Sequence, residues 1–343
     1  MMWLSWRQFR LQALAGAGAL LVIAAYLLYT GMEIRDGYEV YRAHCQDRDG
    51  AGCARAKAGF RGAHQNTLLF LATGLALIPA VLGTFWGAPL VARELENGTH
   101  RLVWNQSVTR TRWLLGKVLL AVSAAMVLTG VASACLTWAA APFDEVVKER
   151  FDTLVFGARN IAPIGHAALA VTLGTTIGLL LRRTLPAMAV TLVGFIAFQF
   201  FFPNVVRPGL MPPERATLPM TVEVINGARS LGSIGGGAVI GGVTVPGEPD
   251  AWIAETGPLR TADGKPLGGA EFNACLDSPP STGTGGTFGD TAACLAERDL
   301  RVDVLYHPGS RYWAFQWLET AIHLLLSGVL LAVSLRRIGR RAG

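Results

Sequence analysis

The chain has 343 residues, 51% of them apolar and only 16% charged, with a formal net charge of +6. A soluble domain carries about a quarter charged residues. Apolar runs of roughly 20 residues match the hydrocarbon layer when helical, so the composition excludes an ordinary soluble enzyme or binding domain.

At the start, "MMWLSWRQFR" puts Trp3, Trp6 and Arg10 at helical spacing with Arg7 beside them, a pattern suited to lipid headgroups. A short interfacial helix is expected there, leading into a first span at 11–30 that stays attached as a signal anchor. A loop over 31–63, helical where it leaves the membrane, carries Cys45 and Cys53. Span two covers 67–85 and ends in "GTFWG", Gly83–Gly87. After the charged stretch from Val91 to Val118 comes span three, 114–138. In the loop 141–160, Phe143, Val146, Val147, Phe151, Leu154 and Val155 recur at helical spacing and predict an amphipathic helix on the membrane surface. Span four, 161–181, holds "GTTIG", Gly174–Gly178; both glycine motifs suit close helix packing better than a substrate path. A tight "RRT" leads to span five, 185–202, with Thr184 as cap and Pro186 in the first turn. Residues 203–311 form a long insertion rich in Gly, Pro, Ser and Thr, expected to be small, irregular and disulfide-pinned, with "STGTGGTFGD" flexible. Span six, 312–335, precedes a basic tail.

The expected fold is an all-α polytopic membrane protein of six helices, N-in and C-in, with a large extracytoplasmic insertion between spans five and six. Its parts are a membrane domain over 1–202, the insertion over 203–311, and span six with its tail over 312–343. Orientation follows the basic residues of the short loops. With the N-terminus in the cytoplasm, the inside segments hold 13 Lys and Arg against Glu94 and Glu96, and the outside segments hold 17 basic and 21 acidic residues. The basic excess therefore reports topology rather than a nucleic-acid partner. Cys45, Cys53, Cys275 and Cys294 all fall on the predicted outer face, where an oxidising compartment allows pairing. Cys45–Cys53 with Cys275–Cys294 is the simplest of three connectivities. Cysteines and histidines never cluster at ligand spacing, so no metal site is expected.

Enzyme signatures are missing: there is no phosphate loop, no HExxH and no GxSxG. Two candidate sites remain. In span six, Glu319, His323 and Ser327 fall at i, i+4 and i+8 on one stripe. An ionisable group at that depth costs several kcal/mol unless it faces protein or water. The stripe therefore either lines a translocation path or forms a structural network reaching His166 near the end of span four. Arg311, at the membrane surface, is placed to pair with acids of the insertion. The other candidate is the stretch from Val91 to Val118. Val91–Asn97 can continue span two, Gly98 can break it, Thr99 can start a short helix over Leu102, Val103 and Trp104, and Thr109 can cap span three. Such a hairpin is either a lever or an ordinary solvated loop.

"ARELENGTHRLVWNQSVTRTRWLLGK" resembles the signature of the type-2 ABC transporter permeases, an A-x-E-x-E-x-G-T stretch followed by a leucine, a Ser/Arg turn and a lysine. Ala92, Glu94, Glu96, Gly98, Thr99, Leu102, Ser107, Arg110 and Lys117 match in order. "YHPGSRYWAFQWLETAIHL" is similar to the span-six entry of actinobacterial members. Ser107-Val108 departs from the family, where many relatives place a proline. The resemblance implies that Glu94, Glu96, Gly98, Thr99, Arg101, Leu102, Val103, Trp104 and Arg110 couple the chain to a separate ABC ATPase subunit that holds ATP and Mg, with no cofactor in this chain. It further implies an exporter of an amphipathic substrate (an antibiotic, a peptide or a lipid-like molecule) in the bacterial cytoplasmic membrane, working as a homodimer or heterodimer of permease subunits. A membrane-anchored sensor whose insertion binds a ligand, and an intramembrane enzyme using Glu319 and His323, are the alternatives.

Overall fold

The computed structural model describes residues 2–46, 50–99, 109–234 and 237–340. Six helices are long and apolar enough to cross a membrane: Arg10–Cys45, Gly52–Glu96, Arg110–Val147, Ala162–Leu181, Thr184–Gly209 and Gly309–Gly339. Each contains one expected span. The chain divides into two compact units, Met1–Arg207 with Trp313–Gly343, and Pro208–Tyr312.

In the first unit, α1 (Met2–Gln46) runs unbroken. The interfacial helix expected at the start is therefore not a separate element among the described residues: it is continuous with the first span, and neither Gly nor Pro occurs in residues 2–10. The side chains of Trp3, Trp6 and Arg7 lie outside the described residues. A disulfide from Cys45 to Cys53 joins the end of α1 to the start of α2 (Gly50–Leu82). The chain then widens into a π turn over Gly83–Gly87 before α3 (Ala88–Glu96).

Helix α4 (Arg110–Val147) absorbs half of the expected surface helix. Phe143 and Val146 are buried in the same apolar cluster as Leu27 and Leu136 rather than laid on a surface. The helix stops where Lys148 turns left-handed, at φ 63°, and the chain restarts as α5 (Thr153–Ala158), with Asp152 accepting from the Leu154 N–H. Packing of the aromatic side chains thus overrides the amphipathic period. Arg159, buried, holds this corner by a two-pronged ion pair to Asp144, with N–O distances of 3.0 and 2.9 Å.

Helix α6 (Ala162–Leu181) is the enclosed one: 72% of its most apolar window is buried, against 6% for α1. Helices in lipid gain little from burying apolar surface against each other and rely on close backbone approach. The two glycine motifs supply it. A Cβ on Gly83 would sit 2.6 Å from the Ala170 carbonyl, and one on Gly87 would sit 2.6 Å from that of Val171. The threonines of α6 remain compatible with an apolar setting because Thr172, Thr175 and Thr176 donate to carbonyls four residues back. Helix α7 (Thr184–Phe201) follows, continued by a π turn over Phe202–Val206 and a short 3-10 turn ending at Gly209. Helix α11 (Tyr312–Arg340) closes the chain.

The second unit is not irregular. A three-stranded antiparallel sheet runs in the order β1 (Glu214–Pro219), β5 (Arg301–His307), β4 (Trp252–Thr256), beside a hairpin of β2 (Ser230–Ile234) and β3 (Gly237–Gly241). In β5, Val302 and Val304 point to the core while Arg301 and Asp303 are exposed, the alternation of a half-buried strand. Three helices complete it: α8 (Val222–Gly227), α9 (Gly269–Asp277) and α10 (Gly289–Ala296). The Cys275–Cys294 disulfide ties α9 to α10 over a core that includes Ile225, Ile240, Leu259 and Phe272. The "STGTGGTFGD" segment, expected to be flexible, carries a set of internal hydrogen bonds. Asp290 accepts from the Thr282 hydroxyl and from the Thr282 and Thr284 N–H groups, and Asn226 accepts from those of Phe288 and Gly289. The Thr282 hydroxyl and then these amides hold the Asp290 carboxyl below its ordinary range. As expected, Arg311 pairs with an acid of this unit, Glu214, at 2.7 Å.

Candidate functional site

The first site is the hairpin between spans two and three. Helix α3 ends where Gly98 takes φ 71°, a conformation that costs glycine nothing. Helix α4 begins after Thr109, whose hydroxyl accepts from the Arg112 N–H at 3.4 Å, so both expected boundaries are present. Residues 100–108 are not described, so Arg101, Leu102, Val103 and Trp104 lie outside the described residues. Thr99, exposed, and Arg110, partly exposed, mark the two edges.

Both glutamates of the motif are engaged within the chain. Glu94 pairs with Lys117 of α4, a buried lysine whose ammonium also lies 5.1 Å from the Trp113 ring centroid. Glu96 reaches α7 and accepts from both the N–H of Thr184, at 2.9 Å, and its hydroxyl, at 2.6 Å. Thr184 is thus the first helical residue rather than the cap. The preceding Arg183 makes no side-chain capping bond, and the acceptor comes from another helix. Ala92 is fully buried in a small contact with Ala88 and Ala187, where a larger side chain has no room. The hairpin is therefore clasped to α4 by one carboxylate and to α7 by the next.

The second site lies among α5, α6, α7 and α11. Glu319, with 0% exposure, receives the Arg207 guanidinium on both oxygens, Nε to Oε2 at 2.7 Å and Nη2 to Oε1 at 3.1 Å. His166 Nε2 meets Oε1 at 3.1 Å. An ionised carboxylate only accepts, so this nitrogen carries the proton. One turn along, His323 Nδ1 donates to the Glu319 backbone carbonyl. The two imidazoles stand edge to face, with centroids 4.6 Å apart, and the Arg207 guanidinium lies 4.2 Å from the Phe156 ring centroid. Below them, the hydroxyls of Thr172 and Ser327 meet at 3.1 Å, and those of Thr176 and Ser334 at 3.0 Å. Above them, Gln316 accepts from the Ala162 N–H and donates to the Phe156 carbonyl. The expected stripe of Glu319, His323 and Ser327, and its link to His166, are thus assembled as one polar seam between α6 and α11.

Arg207, Gln316 and Ser334 were missed. Arg207 reads in sequence as one more outer-loop cation, but a lone carboxylate in a span needs a counter-charge, and Arg207 closes the apolar run "FFPNVV".

A family model described as "ABC-2 membrane transporter related" matches residues 17–207. The chain belongs to that family. The match covers more than half of the chain and includes the hairpin, α6 and Arg207, while α11 with Glu319 and His323 lies beyond it. No curated protein matches, and no solved structure does. Membership makes the chain a multi-pass permease-type transport subunit, in keeping with its six apolar helices.

Proposed function

We propose that the chain is the membrane subunit of an ATP-driven exporter in the bacterial cytoplasmic membrane. It works as a pair of permease copies with two ABC ATPase subunits that hold ATP and Mg. The observation that carries this reading is the double clasp, Glu94 to Lys117 and Glu96 to Thr184. A force applied at residues 99–109 is passed to α3, α4 and α7 together, because each clasp replaces a flexible hinge with a charge-assisted contact. In this reading the hairpin end is cytoplasmic, and the motif glutamates set the hairpin's posture for the ATPase rather than serving as its contact residues. Arg101, Leu102, Val103 and Trp104 are then the docking surface. Both oxygens of Glu319 are taken by Arg207 and His166, which favours a binding and structural role over proton transfer in an enzyme. The substrate is amphipathic and enters from the bilayer.

The test is co-purification in detergent with the phosphate-loop ATPase encoded nearest in the genome. Wild type and Glu319→Gln are expected to retain it, and Glu96→Ala to release it or to leave its ATP hydrolysis uncoupled from export. An ATPase that never co-purifies, or full coupling in Glu96→Ala, sinks the proposal.

A further inference from the structure

A cavity of about 330 Å³ opens among α2, α5, α6, α7 and α11 in the membrane unit. Its walls are apolar, with Leu77, Phe195, Phe198 and Phe202 among them, and its polar end is formed by His166, Arg207, Glu319 and His323. Volumes of this order accept a small ligand or one acyl chain.

The polar end can be read atom by atom. His166 uses Nε2–H on the carboxylate, so in the neutral ring Nδ1 keeps a lone pair. His323 uses Nδ1–H on a carbonyl, so Nε2 keeps one too. Arg207 spends Nε and Nη2 on Glu319. His166 Nδ1, His323 Nε2 and Arg207 Nη1 are buried without a hydrogen-bond partner, on residues that are 5%, 0% and 1% exposed. Buried polar atoms are nearly always paired, and each left alone is costly. The cluster therefore offers two acceptors and one donor, while its formal charges, one arginine and one glutamate, cancel.

Charge decides the class of ligand. One ligand atom from each of His166, Glu319 and His323 lies within 4.8 Å of the others, which by itself would suit a divalent cation. Arg207 already binds the same carboxylate through two N–H groups, and a second cation there would meet an unscreened positive neighbour in a medium of low dielectric. An ammonium head meets the same repulsion, and an anionic head meets Glu319 and two imidazole lone pairs. A head that is uncharged and both donates and accepts meets neither.

We infer that this cavity binds an uncharged amphiphile with a hydroxyl or amide head. Its apolar body lies along the phenylalanine wall, and its head, a diol or primary amide with two hydrogens to give, donates to His323 and His166 and accepts from Arg207. This names the ligand class for the permease reading. Its test needs no ATPase, so it can fail while coupling stands, or stand while coupling fails.

The full chain in nanodiscs is photolabelled with a diazirine monoacylglycerol and mapped by peptide mass spectrometry, with 1-monooleoylglycerol, oleate, oleylamine and Zn²⁺ as competitors. Saturable labelling of the 195–207 and 319–323 segments is expected, with monooleoylglycerol competing about tenfold better than oleate or oleylamine. His323→Leu, which deletes one acceptor, is expected to weaken it about three- to tenfold, and His323→Gln, which keeps an acceptor, to restore it. Thr73→Phe, on the partly exposed cavity wall, narrows the space without touching the cluster and is expected to weaken it as well. Equal competition by oleate or oleylamine, stoichiometric Zn²⁺ binding lost in His323→Leu, or labelling indifferent to Thr73→Phe would overturn the inference.

Discussion

The chain contains two ionic sites that treat water differently. At the hairpin, Glu96 is exposed while Glu94, its side chain 16% exposed, faces a buried Lys117, and each carboxylate reaches a partner on a neighbouring helix. Between α6 and α11, Glu319, Arg207, His166 and His323 are all buried, and the partners come from three separate stretches of chain. Exposed ionic contacts contribute little to stability but set geometry at low cost, whereas buried ones are expensive to leave half-made. The exposed Glu96 clasp therefore suits a part that must move, and the buried seam suits a part that must hold.

Five changes test that contrast. Arg207→Ala strands Glu319 and is expected to lower stability by about 3–5 kcal/mol, read as a fall in the melting temperature of the detergent-solubilised chain. The double change Arg207→Met with Glu319→Gln removes both charges and should recover most of that loss; no recovery would mean the pair is not the main interaction. Glu319→Gln alone addresses function, since intact export would leave the seam a structural role only. Glu94→Ala leaves Lys117 without its carboxylate and is expected to cost about 1–3 kcal/mol, less than Arg207→Ala because this pair is less fully enclosed than Arg207–Glu319. The smallest effect is expected in the Pro208–Tyr312 unit, where burial, the first cause, holds the His307 imidazole below its ordinary pKa of 6.5. The unfolded chain takes that proton first as pH falls. The contribution of His307 is thus complete above about 6.5 and is lost as pH drops through the lower folded value. Hydrogen exchange of β4 and β5 should accelerate over that window, and His307→Phe should flatten the profile.

Much of this was legible because the bilayer imposes a simple ruler. Six apolar runs became six helices, Gly98 and Thr109 bounded the hairpin, and the glycines of "GTFWG" and "GTTIG" marked where the π turn and the start of α3 approach α6. Both disulfides follow the expected connectivity. What escaped depended on long-range partners. Arg207 looks like a surface cation until Glu319, 112 positions later, is placed against it. Glu96 looks like a docking charge until Thr184 is seen beside it. The surface helix expected in the loop 141–160 is replaced because Phe143 and Val146 join a helical core, and the Gly and Pro content of the insertion hides the alternation in β5. Local pattern reads periodicity; it does not read which distant residue will satisfy a charge.

In the proposed mechanism the hairpin receives work from an ATPase. The most direct test is a crosslink from Asn97→Cys, an exposed position at the end of α3, in a Cys135→Ser background. Crosslinking to the ATP-binding subunit, changing in yield with ATP, together with protection of the new thiol from impermeant reagents outside intact cells, is the predicted result. Labelling from outside, or no crosslink to an ATPase in any nucleotide state, would contradict it.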